Sequence, residues 1–244
     1  MLESWLRLTV LVSAAGLVGY LAQRTGLCLI RGVIQVRQGR PLLLVAMLLC
    51  GFSLWLLAPF ADSWGLEGPM ARFQGHYLFA LGGLVFGLGA AANGGCSVST
   101  LWKLASGDYH MVITMLGWVI GWCLWLLTAP QYKPMPQWGA VSTLAVSLEL
   151  VLLVSASLWV WLRSRINLRL WFGVIAAGLL SGVLFLLQPG WAPSNLVQDL
   201  ANAGLYQGDW PAYERYLILL ALLAGMWLAA WLNRSFRWQT FSPG

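Results

Sequence analysis

YLFALGGLVFGLGAAANGGCSVSTLWKLASGD, residues 77–108, joins two unlike pieces of chain, and the way they are joined decides the fold. Residues 77–92 are apolar or small and carry no charge. As a helix they rise about 24 Å, close to the thickness of a hydrocarbon core. Gly89, Asn93, Gly94 and Gly95 then loosen the backbone ahead of Cys96. Beyond Cys96 runs a short polar-flanked helical stretch containing Ser97, Ser99 and Thr100, which ends at Gly107. About ten residues rise only about 15 Å, half a bilayer, so this piece enters or skirts the membrane without crossing it. Irregular backbone survives at that depth only when buried in protein or lining a polar cavity.

The rest of the chain suits the same solvent. Of 244 residues, 59% are hydrophobic and 9% charged, with a mean hydropathy of +0.74, against about 25% charged in soluble domains. Sixteen Trp and 27 Gly fit interfacial anchoring and close helix packing. Hydropathy predicts seven spans, at 6–21, 41–60, 77–92, 110–128, 140–162, 170–187 and 216–232. The first and third are short, so their helices extend further or stop against broken backbone. No charged leader with an Ala-x-Ala site opens the chain, so the first span is read as a retained helix.

Charge gives an orientation. Arg24, Arg31, Arg37 and Arg40 follow the first span, Arg163, Arg165 and Arg169 follow the fifth, and Arg234 and Arg237 follow the last. Asp62, Glu67 and Arg72, and then Asp199, Asp209 and Glu214, fall on the other side. The positive-inside rule makes the basic side cytoplasmic, with the N-terminus outside and the C-terminus inside. The formal charge of +6 is then mostly topology, and no clustered basic surface speaks for nucleic acid.

Residues 94–107, GGCSVSTLWKLASG, have an earlier counterpart in GLCLIRGVIQVRQG, residues 26–39, at a constant offset of 68. Each has Gly two before its Cys and Gly eleven after it. Each leads into an apolar helix with a further cysteine, Cys50 in LLCGFSLWL and Cys123 in GWCLWLL. The expected architecture is an all-α, polytopic helical membrane protein with internal repeats, about seven spanning helices plus short re-entrant helices. It forms a single transmembrane domain over 1–244, with repeat-like units at about 8–60 and 76–130 and a degenerate second half at 138–234. In that half GVLFLLQPGWAPSNLVQDLANAG, residues 182–204, reads as a degraded copy, with Pro189 and Gly190 breaking the helix. Repeated halves are a recurrent plan in membrane transporters.

A short helix starting near Cys96 aims free backbone N–H groups and the hydroxyls of Ser97 and Ser99 at the point where the chain turns, which favours an anion. Cys28, with Arg24 and Arg31 nearby, holds the equivalent place in the first unit. Cysteine together with anion-attracting amides on both units suits a small sulfur-containing anion. Substrate-binding candidates are Cys28, Cys96, Gly94, Gly95, Ser97, Ser99, Arg24, Arg31 and Lys103.

Residues 86–108, FGLGAAANGGCSVSTLWKLASGD, and 23–33, QRTGLCLIRGV, resemble the YeeE/YedE family of sulfur-transport membrane proteins. The resemblance covers about the first 130 residues. It implies inward transport of thiosulfate along thiols at several depths, with Cys28 and Cys96 as principal contacts. It also implies a cytoplasmic TusA-like sulfur carrier as partner and location in the cell inner membrane. The second half departs from the family pattern, since no cysteine follows Cys123.

Other readings stand beside these. A cysteine in an apolar helix is usually a small core residue, the reading given to Cys50 and Cys123. Zinc is disfavoured because no Cys-x-x-Cys or Cys-x-x-His spacing occurs and His76 and His110 lie far from cysteine in sequence. No cofactor is called for, and P-loop, nucleophile-elbow and zincin motifs are missing. Glu149 is the one acid well inside a predicted span, marking it for proton coupling, for pairing with a buried cation, or for a bond to a hydroxyl or amide. Lys103 either helps hold an anion or anchors its helix at the surface. Rival functions are a membrane sulfurtransferase or thiol redox protein passing persulfide sulfur to a carrier, and a structural or assembly subunit.

Overall fold

The computed structural model describes residues 2–51, 56–57, 71–73, 76–128, 136–138, 143–163, 165–206 and 209–238. Among these residues the regular structure is helical apart from one ribbon of two short strands. In chain order the elements are α1 (Leu2–Thr25), α2 (Leu29–Arg37), α3 (Leu42–Gly51), β1 (Ala71–Phe73), α4 (Tyr77–Ala92), α5 (Ser97–Ala105), α6 (Met111–Thr128), β2 (Pro136–Trp138), α7 (Thr143–Arg163), α8 (Arg165–Leu187), α9 (Pro193–Tyr206) and α10 (Tyr213–Leu232). β1 and β2 pair antiparallel, with Arg72 opposite Gln137.

Five segments are long and apolar enough to cross a membrane: Trp5–Arg37, Tyr77–Ala105, Met111–Thr128, Leu168–Leu187 and Tyr213–Leu232. The spans expected at 41–60 and 140–162 correspond to the shorter apolar helices Leu42–Gly51 and Val146–Leu162. Residues 52–55 and 58–60 of the former lie outside the described residues. The protein is thus a multi-pass helical membrane protein, with five such spans among the described residues. The short helices α2 and α5, of nine residues each, are too short to cross.

α1 is the packing centre, laid against α10 and α8. Lipid tails are as apolar as leucine, so helices in a bilayer associate where small residues let backbones touch. At the α1–α10 crossing a Cβ on Gly19 would overlap the Leu222 carbonyl, and one on Gly225 would overlap the Gly16 carbonyl. Leu11, Ala15, Leu101, Ile218 and Met226 close the core around that contact. A second cluster, Leu43, Ala46, Val160, Trp171 and Val174, joins α3 and α7 to α8, and Trp171 Nε1 donates to Ser157 Oγ at 2.9 Å. α4 and α6, by contrast, expose most of their circumference, including Leu84, Val85, Leu88, Ile113, Leu116 and Ile120, as lipid-facing helices do.

The two ends of the bundle differ in charge. At one end Arg7 Nη2 donates to the Leu187 carbonyl at 2.6 Å and to Gln188 Oε1 at 3.0 Å, so α1 and α8 run antiparallel. Trp191 Nε1 donates to the Arg215 carbonyl there, and Arg215 pairs with Asp199. At the other end Gln23 Nε2 donates to Ser106 Oγ at 2.8 Å, and the Arg237 N–H donates to the Ser106 carbonyl at 2.9 Å. Arg24 and Arg169 line one cavity on that side. Basic residues from three separate segments therefore share an end.

The 68-residue offset recurs in the backbone. The amides of Gly26 and Leu27 bond to Gln23 and Ala22, and those of Gly94 and Gly95 bond to Ala91 and Ala90. At the far end Arg40 bonds to Gln35 as Asp108 bonds to Lys103. Gly26 and Gly94 both have φ of 63°, a left-handed conformation that glycine adopts without steric cost. α9 begins in a comparable way, with Gly190 at φ 69° two residues before Ala192, whose carbonyl accepts the first amides of the helix. Ala192 thus stands where Cys28 and Cys96 stand, immediately before a short helix.

Candidate functional site

Cys28 and Cys96 are the residues immediately preceding α2 and α5, both in extended backbone. Neither thiol caps its own helix. Gly32 and Thr100 make the first intrahelical bonds, to the Cys28 and Cys96 carbonyls, so the amides of residues 29–31 and 97–99 are left without helical partners. The two helix starts meet. The thiols lie within interaction range of each other, with the amides of Arg31 and Cys96 beside the Cys28 sulfur and those of Leu29 and Ser99 beside the Cys96 sulfur. Trp102 Nε1 donates to the Leu27 carbonyl at 3.3 Å and ties one short helix to the approach of the other. Both cysteines are buried, 4% and 7% exposed, and neither is in a disulfide.

Each turn is braced by a cation. Arg31 Nη1 donates to the carbonyls of Thr25 and Gly26 at 3.5 and 3.4 Å, and Lys103 Nζ donates to the Gly94 carbonyl at 3.1 Å. The two cations come from different positions in their helices and reach the carbonyls of equivalent glycines. Ser99 Oγ donates to the Cys96 carbonyl at 2.8 Å and lies 3.8 Å from the Cys96 sulfur. Gly95 makes room for it, since a Cβ there would overlap the Ser99 hydroxyl. Ser97 sits half-buried in the first turn of α5.

Asn93 holds this arrangement together. Its Nδ2 donates to the Gly95 carbonyl at 3.2 Å and to Thr100 Oγ1 at 3.0 Å, while its Oδ1 accepts from Thr114 Oγ1 at 2.7 Å. One side chain therefore fixes the turn, α5 and α6 together. Its place before Gly94 and Gly95 marks the break in the helix, but Thr114 lies 21 residues on and the clamp is a tertiary contact.

The sequence candidates do not all gather here. Cys28, Cys96, Gly94, Gly95, Ser97, Ser99, Arg31 and Lys103 form one cluster. Arg24 turns away, donating to Tyr20 OH at 2.9 Å and lining a separate cavity of about 560 Å³ with Arg169 and Thr25. Glu149, on α7, is absent from the cluster; it is buried, and neither carboxyl oxygen has a hydrogen-bond partner among the described residues. Cys50, read from sequence as packing, does pack against Gly178, and it also lines a cavity of about 320 Å³. Leu27 and Val98, beside the two paired cysteines, line the same cavity. Cys123 is half-buried on α6. Among the described residues no group of three His, Cys, Asp or Glu side chains is placed to hold a metal.

Two adjoining helix starts with free amides and two thiols can hold a small anion that has a polarizable sulfur. The family model described as sulphur transport matches residues 25–169, more than half of the chain and both cysteine turns. Among curated proteins none matches the chain. The chain belongs to the sulphur transport family, and is a sulfur-related transporter.

Proposed function

We propose that this member of the sulphur transport family carries a small sulfur-containing anion, thiosulfate, inward along a path lined by cysteine. The observation that carries the reading is the meeting of α2 and α5 at Cys28 and Cys96, where the amides of Leu29, Arg31, Cys96 and Ser99 lie beside two thiols. An anion leaving water loses its hydration, and preformed amides and sulfur contacts offset that loss. Ser99, with Arg31 and Lys103 bracing the turns, keeps the amides aimed. The reading takes the basic end of the bundle as cytoplasmic in the inner membrane, with the N-terminus outside, and the repeat units as about 8–60 and 76–130. A TusA-like carrier would collect the sulfur at that end, and crosslinking through a cysteine placed at Arg237 tests for it.

Uptake of labelled thiosulfate into proteoliposomes is the direct test. Accumulation by the wild type and its loss in Cys96→Ala support transport. A stable persulfide on Cys96 with no uptake would assign the protein as a sulfurtransferase instead.

A further inference from the structure

Two cavities adjoin at the basic end of the bundle. One, of about 560 Å³, lies between α1 and α8 and is lined by Tyr20, Arg24, Thr25 and Arg169. The other, of about 460 Å³, is a gap between α3, α7 and α8, where Arg40 and Gln35 join apolar walls that include Val45, Ala156 and Val160. Leu170 lines both, so they are neighbours on α8. Each volume falls in the range of small-ligand sites, roughly 300–1,000 Å³.

The first cavity suits an anion. Arg24 Nη1 donates to the Tyr20 hydroxyl at 2.9 Å, and its guanidinium carbon lies 5.7 Å from the centre of the Tyr20 ring. The side chain is thereby held in place while keeping N–H donors to spare, and the hydroxyl that accepts from it still has its own proton to donate. Thr25 Oγ1 donates to the Leu21 carbonyl at 2.8 Å, and a Cβ on Gly173 would lie 2.7 Å from the Thr25 methyl, so α8 comes close against α1 here. Among the described residues none of Arg24, Arg40 and Arg169 is in an ion pair, and Asp108, at the same end, is bonded to His110 at 3.1 Å.

The second cavity favours a lipid over a free anion, which needs no apolar neighbour. Val45 and Trp159, both lining it, are 40% and 57% exposed on apolar helices, so the gap opens toward the bilayer. The three arginines stand at the ends of apolar segments: Arg24 in the last turn of α1, Arg40 two residues before α3, and Arg169 next to the start of Leu168–Leu187. Long cationic side chains at helix ends reach the headgroup level, and basic pockets between membrane helices take phosphate headgroups.

We propose that the two cavities together hold one anionic phospholipid, with its phosphate among Arg24, Arg169 and the Tyr20 hydroxyl and an acyl chain in the gap between α3 and α7. Neither cavity includes Cys28 or Cys96, so the lipid sits beside the transport path and braces α1, α3 and α7 against α8.

The test uses the full chain, delipidated in a nonionic detergent, with binding read by native mass spectrometry. Dioleoyl phosphatidylglycerol should bind at least about tenfold tighter than dioleoyl phosphatidylcholine, because each arginine near the headgroup favours the anionic one. Combining Arg24→Gln with Arg169→Gln should abolish that preference. Arg37→Gln, at an exposed residue that lines neither cavity, should leave it within about twofold of wild type. Val45→Trp puts a larger side chain into the gap and should weaken both lipids at least about fivefold. Equal affinity of the wild type for the two lipids, a comparison that needs no variant, overturns the proposal. So does a preference that Arg37→Gln lowers as much as the double variant, or lipid binding untouched by Val45→Trp. Millimolar inorganic phosphate at constant ionic strength should leave phosphatidylglycerol bound; its displacement would make the cavity a site for free phosphate instead.

Discussion

Asn93 shows how much one side chain decides at the cysteine turn. It makes two donor bonds and one acceptor bond to three different pieces of chain. Asn93→Ala leaves Thr100 and Thr114 without that partner and should cost about 1–3 kcal/mol, read as a lower Tm in detergent together with reduced uptake. Asn93→Asp retains the acceptor for Thr114 but removes both donor bonds and adds charge, so it should perform no better than Ala. A neighbouring pair of glycines separates two causes. Gly94→Ala meets no neighbouring atom and is opposed by its left-handed φ, which should cost roughly 1–2 kcal/mol. Gly95→Ala drives its methyl into the Ser99 hydroxyl beside Cys96. It should therefore lower uptake more than Gly94→Ala for the same loss of Tm, and uptake measured on matched protein checks the difference.

Among the helices, what matters is whether a small residue has a neighbour. Gly225 on α10 faces the Gly16 carbonyl of α1, and Gly117 on α6 has nothing within 4 Å. Gly225→Leu should force the central helix pair apart and cost several kcal/mol, in the range of overpacked cores, with loss of monodisperse protein in detergent. Gly117→Ala should stay within about 0.5 kcal/mol of wild type, since it adds a methyl to an open surface. If both behave alike, α1 and α10 are not the packing centre. The helix-starting turns can be compared in the same way: Cys28, Cys96 and Ala192 each precede a short helix, and the third site lacks sulfur. α9 can share the geometry of α2 and α5 without sharing their chemistry.

Taken whole, the molecule is polar in its charge distribution, with Arg24, Arg169 and Arg237 toward one end and Asp199, Arg215 and Arg7 toward the other. If the basic end is cytoplasmic, an impermeant thiol reagent added to intact cells should label a cysteine placed at Arg7 and spare one placed at Arg237. The reverse pattern would invert the orientation and with it the direction assigned to transport. Labelling is compared with that in permeabilised cells, where both sites should react. The exposed apolar circumference of α4 and α6 belongs at this scale too, as a surface whose composition suits lipid.

The amino-acid sequence by itself determined the features that are local. Hydropathy made the chain a helical membrane protein. Glycines at fixed distances from Cys28 and Cys96 determined two equivalent turns and two short helices, because a left-handed residue and a helix start are set within a few residues. Tertiary structure alone decided that Cys28 meets Cys96 and that Cys50 lies in a notch at Gly178. In water an apolar stripe tells which face of a helix turns inward. In a bilayer the lipid-facing and protein-facing sides are equally apolar, so the pattern that would have named the partners is missing, and close backbone contact at small residues chooses them instead.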